Sequence, residues 1–249
     1  MQKRYVWWAV LIVVIASLAC EAQDFSPEIK EEQISSGEGV YTFDSQTILQ
    51  SLAQSETSVF TLQLSTPESP RTGLPPVQWS QVDFYRIAQA FHEFAWQEPI
   101  ESWKLNELFF KLDCEHAPLG PQFMSLDLFK SVHVRQTNSR LWRAIFIKPQ
   151  QNQVSWIGIE YYPERSRWSS LDFAQIKIPA EQALQIAESQ GGQEARLAAE
   201  NKCWIDGALV AGLRDNDWRI AYTGEGLVRL FEINIDEQTG TYKIVYPKK

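Results

Sequence analysis

The 249-residue chain lacks the motifs on which enzyme and metal-site assignments most often rest. It has three cysteines and three histidines, and their spacing does not provide the ligand pairs of a closed zinc site. A Gly-x-Ser-x-Gly elbow, a His-Glu-x-x-His pair and a glycine-rich phosphate-binding loop are all absent from the sequence. We therefore predict a protein that is not an enzyme and that holds no metal or cofactor.

Basic residues are also few. The chain has 23 Lys and Arg against 31 Asp and Glu, a formal net charge of −8. Removal of residues 1–20, which contain Lys3 and Arg4 but no acidic residue, leaves 21 basic residues against 31 acidic ones and a net charge of −10. This balance argues against nucleic acid as a partner and against electrostatic docking on anionic lipid. A hydrophobic fraction of 44% and ten tryptophans suffice for one large core or two modest ones.

The first twenty residues are the most informative segment. Lys3 and Arg4 precede an unbroken apolar run from residue 6 to residue 16, and Ser17-Leu18-Ala19-Cys20 follows. This order is typical of a bacterial export signal, and its last residues resemble a lipobox. The resemblance implies that Cys20 is the lipidated first residue of a mature protein anchored in the cell envelope, outside the cytoplasm. The alternatives are cleavage nearby without lipid, which gives a secreted protein, and an uncleaved anchor helix.

The other two cysteines predict a disulfide. Cys114 and Cys203 each lie early in one of two similar segments, and an exported compartment is oxidising, so we expect a bond that ties the two halves together. The neighbours of Cys114, Asp113 and Glu115-His116, could instead indicate a thiol nucleophile or a metal ligand. A disulfide removes that nucleophile, and we interpret the cluster as structural. His92 and His133 are isolated, and His92 is interpreted as a polar surface or edge residue.

Composition and pattern divide the chain into five segments. These are the signal at 1–20, a polar acidic tether at 21–40, a short helix and strand with a proline-rich loop at 41–78, a first helix-plus-sheet unit at 79–165, and a second unit at 176–249. The predicted fold class is α+β, with a helix packed on an antiparallel sheet in each of two related units in tandem.

The first unit begins with a helix. Ser80 and Asp83 form a capping arrangement, and apolar residues then recur at helical spacing as far as Pro99. Residues 141–147 and 154–162 read as two strands joined by a polar turn. The stretch between the helix and these strands, which includes Cys114, shows no regular pattern.

The second unit repeats this order. Pro179 suits a first helical position, and Gly191-Gly192 is expected to end the helix. Strands are predicted around 202–205, 218–223, 227–235 and 241–246. Leu141-Trp142-Arg143 in the first unit is similar to Asp217-Trp218-Arg219 in the second, which suggests a duplication.

The second unit resembles a PepSY or PepSY-like domain over about the last 75 residues. The resemblance rests, in order, on Ile178-Pro179-Ala180, Ala183-Leu184-Gln185-Ile186-Ala187, Gly191-Gly192, Trp218-Arg219-Ile220-Ala221-Tyr222, Phe231-Glu232-Ile233-Asn234-Ile235-Asp236 and Thr239-Gly240. It implies a small α+β domain found in exported, membrane-attached or propeptide contexts, with a binding or protease-inhibiting role and no catalytic residues. A degenerate second copy upstream is expected in the first unit.

Aromatic residues around the 141–162 hairpin are the candidate ligand-binding residues. Aromatic faces bind sugars, peptides or other proteins, but they also fill cores. The candidates are Trp142, Trp156, Tyr161, Tyr162 and Trp168.

These features predict an exported, lipid-anchored, non-enzymatic binding protein of the bacterial cell envelope. The expected partners are the membrane, through lipid on Cys20, and an envelope or secreted protein, with a peptidase as one candidate. The alternative is an extracellular carbohydrate-binding protein or hydrolase that uses the aromatic hairpin and scattered carboxylates.

Overall fold

The computed structural model describes residues 37–45, 48, 50, 75–134, 137–163, 169–212 and 216–247. The strands are β1 (Gly37–Thr42), β2 (Lys104–Asp113), β3 (Phe123–Val134), β4 (Thr137–Lys148), β5 (Gln153–Pro163), β6 (Cys203–Val210), β7 (Asp217–Gly224), β8 (Arg229–Asp236) and β9 (Tyr242–Tyr246). The helices are α1 (Gln81–Trp96), α2 (Ala180–Ala187) and α3 (Gln193–Ala198). The export signal with Cys20, most of the 21–40 tether and most of the 41–78 segment lie outside the described residues.

All nine strands form one antiparallel sheet, in the order β1-β5-β4-β3-β2-β6-β7-β8-β9. Strands β2 to β5 are a meander, and strands β6 to β9 are a second meander. The two meanders meet where β2 pairs with β6, from Glu107 opposite Val210 to Asp113 opposite Trp204. Strand β1 pairs with β5, so residues 37–40, which the sequence analysis places in the tether, belong to the sheet.

The predicted fold class is wrong. We expected two separate units, each with a helix packed on its own small antiparallel sheet, whereas the strands of both halves form one continuous nine-stranded sheet with a few short helices. The physical reason is that each meander alone would leave the backbone N–H and C=O groups of its first strand without sheet partners, and pairing β2 with β6 satisfies both edges. The sequence pattern also missed β2 and β3, and β2 is the strand through which the halves join.

Helix α1 forms where its pattern predicts. Ser80 Oγ accepts a hydrogen bond from the Asp83 N–H at 3.2 Å, and Asp83 Oδ2 accepts one from the Ser80 N–H at 2.9 Å. This capping box satisfies two of the N–H groups that every helix start leaves without intrahelical partners. The apolar face of α1 buries Phe84, Ile87 and Phe91 completely.

The second helical segment is interrupted at Gly191-Gly192, where the sequence predicts its end. The chain leaves helix α2 through the turn Glu188–Gly192, is not helical at Gly191, and resumes as α3. Gly191 has a φ of 125°, which favours glycine, and a Cβ on Gly192 would lie 2.4 Å from Tyr222 Oη. The Tyr222 hydroxyl donates to Glu188 Oε1 at 2.8 Å, so the two glycines allow this tyrosine to reach the turn.

The sheet has two different faces. The inner face carries Leu108, Phe110 and the other buried side chains that share one hydrophobic core with α1 and α2. The outer face carries the alternate residues of the same strands, such as Glu107 and Phe109. Since the described helices all pack on the inner side, no described helix covers the outer face. None of the described helices is long and apolar enough to cross a membrane.

The predicted disulfide is present. Cys114, directly after β2, is bonded to Cys203 at the start of β6, with a Cα–Cα distance of 5.3 Å. The two cysteines are 89 residues apart in the chain, and both are buried. The bond therefore closes the central seam at which the two meanders join.

Candidate binding face

The outer face is the candidate functional surface because its side chains are not part of the helix-covered core. In its centre, Phe109 of β2 lies opposite Ser125 of β3, and Ser125 lies opposite Phe146 of β4. In the next row, Glu107 lies opposite Asp127, and Asp127 lies opposite Ala144. Strand register therefore places aromatic, small and acidic side chains side by side on one surface.

Three half-buried phenylalanines form an aromatic group across β2, β3 and β4. The ring centroid of Phe123 is 6.2 Å from that of Phe109 in an edge arrangement and 6.4 Å from that of Phe146 in a nearly parallel one. Small residues beside them, Ser125 and Ala144, leave the rings standing above the backbone. Such a surface combines apolar contact area with rigid rings, which is the composition of the centre of many protein interfaces.

Beside this group lies an acidic pair. Glu107 and Asp127 are directly opposite each other on β2 and β3. Burial first and the charge of Glu107 second raise the pKa of Asp127 to about 7, against the opposing effect of a 3.2 Å hydrogen bond from Trp142 Nε1. Burial also raises the pKa of Glu107. Near neutral pH the carboxyl group of Asp127 is therefore partly protonated. It can donate a hydrogen bond to a bound molecule when protonated and accept one when ionised.

The structure separates the five predicted aromatic residues. Trp142 lies on the outer face beside Asp127, whereas Trp156 lies on the inner side, with its ring centroid 5.2 Å from that of Trp96. Tyr161 and Tyr162 belong to β5, but their side chains are outside the described part, and Trp168 lies outside it altogether. Ligand binding by this set stays a prediction, and within the described part Trp142 alone shares the outer face.

His92 is not a surface residue, contrary to the sequence interpretation. It is fully buried in α1; its Nδ1 lies 2.7 Å from the Glu98 carbonyl oxygen and its Nε2 3.3 Å from an Arg143 guanidinium nitrogen. A neutral ring that donates from Nδ1 and accepts at Nε2 fits both contacts. Burial lowers the pKa of His92 to about 4; the bond to Glu98 opposes this shift, and the Arg143 charge adds to it.

Arg143 and Glu98 complete a structural network around His92. The guanidinium carbon of Arg143 lies 4.1 Å from the ring centroid of Trp96 and 4.0 Å from that of Trp103. Burial works to raise the pKa of Glu98, but hydrogen bonds from Lys130, Trp103 and Ser102 outweigh it and hold the pKa at about 2. Every charged group here has partners within the fold, so we interpret the network as a clamp between the end of α1 and the sheet.

Sequence reasoning missed the acidic pair. Glu107 and Asp127 are twenty residues apart, and only the β2–β3 register brings them together. One signal was available, since Met124, Leu126 and Leu128 alternate with polar residues and would place Asp127 on the opposite face of a strand. No group of three or more metal-ligating side chains occurs among the described residues.

No protein-family model and no curated protein sequence matches this chain. One solved structure with low similarity is a candidate lipoprotein from Clostridium difficile 630, with 14% identity and a TM-score of 0.36, covering 70% of this chain and 98% of the other. Another is a MaoC-like dehydratase from Phytophthora capsici, with 10% identity and a TM-score of 0.24, covering 85% and 93%. At these scores neither similarity supports an argument about fold or function.

Proposed function

We propose that this chain is an exported, lipid-anchored, non-enzymatic binding protein of the bacterial cell envelope. Its outer sheet face binds a partner protein, and lipid on Cys20 holds it at the membrane. The observation that carries the proposal is the outer face itself, which no described helix covers and which has an aromatic centre and charged neighbours across β2, β3 and β4.

Location is supported by two independent features. The first is the lipobox-like end of the export signal, Leu18-Ala19-Cys20. The second is the Cys114–Cys203 disulfide, a bond that persists outside the reducing cytoplasm. With Cys20 lipidated and the other two cysteines paired, all three cysteines of the chain have a role in an exported protein.

Protein binding is supported by the make-up of the outer face. Apolar side chains at its β1–β5 end are exposed, with 41% of Val40 and 41% of Ile157 accessible. Val40 lies opposite Ser155, in the row that continues through Phe146 and Ser125 to Phe109. Ile157 lies opposite Ala144, in the neighbouring row that ends with the acidic pair. Aromatic and aliphatic centres with polar neighbours are typical of protein interfaces. The PepSY-like resemblance of residues 176–249 adds a finer expectation, that the partner is an exported peptidase.

The test uses one substitution on each side of the sheet. Ile157→Asp places a charge on the outer face, and Leu197→Asp is the matched control, because Leu197 is 53% exposed on α3 on the helix side. The full-length variants are purified from their own membranes and the attached proteins are identified by mass spectrometry. We expect one partner protein to be recovered in equal amount with wild type and with Leu197→Asp. With Ile157→Asp the recovered amount of that partner should fall at least tenfold. Equal retention by both variants would contradict the proposal.

One observation favours a second function, a carbohydrate hydrolase. The acidic pair supplies a carboxyl group whose pKa of about 7 suits a general acid, next to a second carboxylate and the Trp142 indole. Turnover of polysaccharide by the full-length protein, abolished in Asp127→Asn, would establish this route. Absence of turnover together with the partner loss in Ile157→Asp would favour the binding function.

A further inference from the structure

A hollow of about 360 Å³ lies at one end of the outer face, away from the acidic pair. Its floor is Phe123, which begins β3 opposite Lys111 of β2. One wall follows the turn Cys114–Leu119 and includes His116, and the other is the end of β4 with Lys148 and the turn Pro149–Gln151. Its volume is within the range of sites that hold small molecules.

The charge of the hollow is opposite to that of the chain. Lys111 and Lys148 both line it, with Asp113 as the one carboxylate among its lining residues. Lys148 forms no ion pair with a carboxylate among the described residues. Lys111 has neighbours on β6: its Nζ lies 5.2 Å from the ring centroid of Trp204, and its charge opposes the rise that burial causes in the pKa of Asp206, which lies opposite it. An anion in the hollow is attracted by both lysines, and by Lys148 most strongly because that charge has no carboxylate partner among the described residues.

The amide side of the hollow is rigid. Gln122 is 6% exposed, and its Nε2 donates to three backbone carbonyl oxygens, those of Val77, Gly120 and Pro121. Its Oε1 accepts a hydrogen bond from Gln150 Nε2 at 3.0 Å. Gln150 is thereby held at the rim, and its own carbonyl oxygen remains as an acceptor for a hydroxyl group of a ligand.

We propose that this hollow binds a small ligand with a ring and one carboxylate or phosphate, of which an acidic sugar is the type. Lys111 and Lys148 bind the anionic group, the ring of Phe123 supports the apolar face of the ligand, and Gln150 accepts from a hydroxyl. The carboxylate and the phosphate share this chemistry, and the experiment separates them. The proposal goes beyond partner binding and concerns the Phe123 end of the phenylalanine group, where the hollow adjoins the proposed partner surface.

The test is calorimetric titration of the full-length protein in detergent with D-glucuronate, D-glucose 6-phosphate and neutral D-glucose. We expect at least one acidic sugar to bind at least tenfold more tightly than glucose, because only the acidic ligands form charge-assisted contacts with the lysines. Lys148→Gln and Lys111→Gln should each weaken that binding about tenfold. Higher salt should weaken it as well.

Lys243→Gln is the matched control. Lys243 is exposed on β9, the edge strand farthest from the hollow on that side of the sheet, and its loss changes the net charge by the same amount. The control should bind the acidic sugar like wild type. Binding of glucuronate alone or of the phosphate alone supports the site and identifies the anion. No binding of either acid at millimolar concentration, equal binding of glucose, or unchanged binding in both hollow variants would overturn the proposal.

Discussion

Two buried titratable groups give this fold opposite responses to pH. Asp127 has its pKa raised from 3.8 to about 7, by burial first and by Glu107 second. His92 has its pKa lowered from 6.5 to about 4, chiefly by burial. Glu98 stays ionised above pH 4.5 because its pKa is about 2. The window from pH 4.5 to 6.5 therefore contains the opposed titrations of Asp127 and His92, and Glu107 and Asp206, whose pKa values burial also raises, add to the direction of Asp127.

The two contributions have opposite signs. Because the pKa of Asp127 is higher in the folded than in the unfolded state, its contribution to stability is fully present below 3.8, the pKa of the unfolded state. That contribution is lost as the pH rises through about 7. Because the pKa of His92 is lower in the folded than in the unfolded state, its contribution to stability is fully present above 6.5, the pKa of the unfolded state. That contribution is lost as the pH falls through about 4. Integrated from pH 4.5 to 6.5, each contribution changes the free energy of unfolding by about 2 kcal/mol, in opposite directions. The two contributions nearly cancel, so the free energy of unfolding of the wild type should stay constant or fall slightly as the pH rises from 4.5 to 6.5.

Asp127→Asn removes one of the two contributions and keeps an acceptor for the Trp142 indole N–H. Relative to wild type, we expect its free energy of unfolding to rise by about 2 kcal/mol between pH 4.5 and 6.5, since Asp127 no longer opposes His92. The free energy of unfolding of His92→Gln should instead fall by about 2 kcal/mol relative to wild type over the same interval.

The assay is urea denaturation of the full-length protein at five pH values and constant ionic strength, followed by tryptophan fluorescence. The slopes of the free energy of unfolding against pH are compared among wild type and the two variants. A profile of Asp127→Asn that stays parallel to wild type, or that falls with pH, would refute the assignment of opposed titrations.

Three further predictions concern the seam, the packing of β6 and the anchor. Cys114→Ser should lower the free energy of unfolding by about 4 kcal/mol, because the disulfide closes a loop of 89 residues. The urea midpoint measures this loss, and an unchanged midpoint would argue that the bond does not form. Gly207→Ala should destabilise by about 1–3 kcal/mol, since its Cβ would lie 2.1 Å from a ring carbon of the buried Phe110; a stable variant in thermal unfolding would contradict that packing. Cys20→Ser should move the protein from the membrane to the soluble fraction and abolish labelling by a fatty-acid analogue, whereas retention with full labelling would exclude lipidation at this residue.

Elements whose signals are local were predictable from the sequence. The capping pair Ser80 and Asp83 predicts the start of α1, and the structure confirms both hydrogen bonds of the box. Strands β4, β7, β8 and β9 lie where alternation or turn residues placed them, within a few residues at their ends. These predictions depend on residues within one helical turn or one hairpin, which a single sequence contains.

Strand β2 was missed because it does not alternate regularly. Its register shifts between Leu105 and Glu107, so Leu105 and Leu108 are both buried although they are three residues apart. A period of two therefore fails near the start of the strand, and only from Glu107 to Asp113 does burial alternate. Since β2 joins the two meanders, missing it led directly to the wrong prediction of two separate units.

The candidate site depends on register, which no local pattern fixes. Trp142 and Trp156 each occupy a predicted strand, yet the β4–β5 register places Trp156 opposite Ile145, three residues along β4 from Trp142, so the two indoles lie on opposite faces. The acidic pair and the hollow likewise need strands and turns from distant parts of the chain. A one-residue change in register would move every such side chain to the other face.

The central claim is that the outer face contacts a partner in the envelope. Photo-cross-linking from p-benzoylphenylalanine at single positions of the full-length protein, in its own membranes, tests it most directly. Positions 40 and 157 sample the outer face, and positions 82 and 197 sample the helix side with comparable exposure. The account predicts a specific cross-linked protein from Val40 and Ile157 and none from Val82 and Leu197. Cross-links only from the helix side, or equally from both sides, would contradict it.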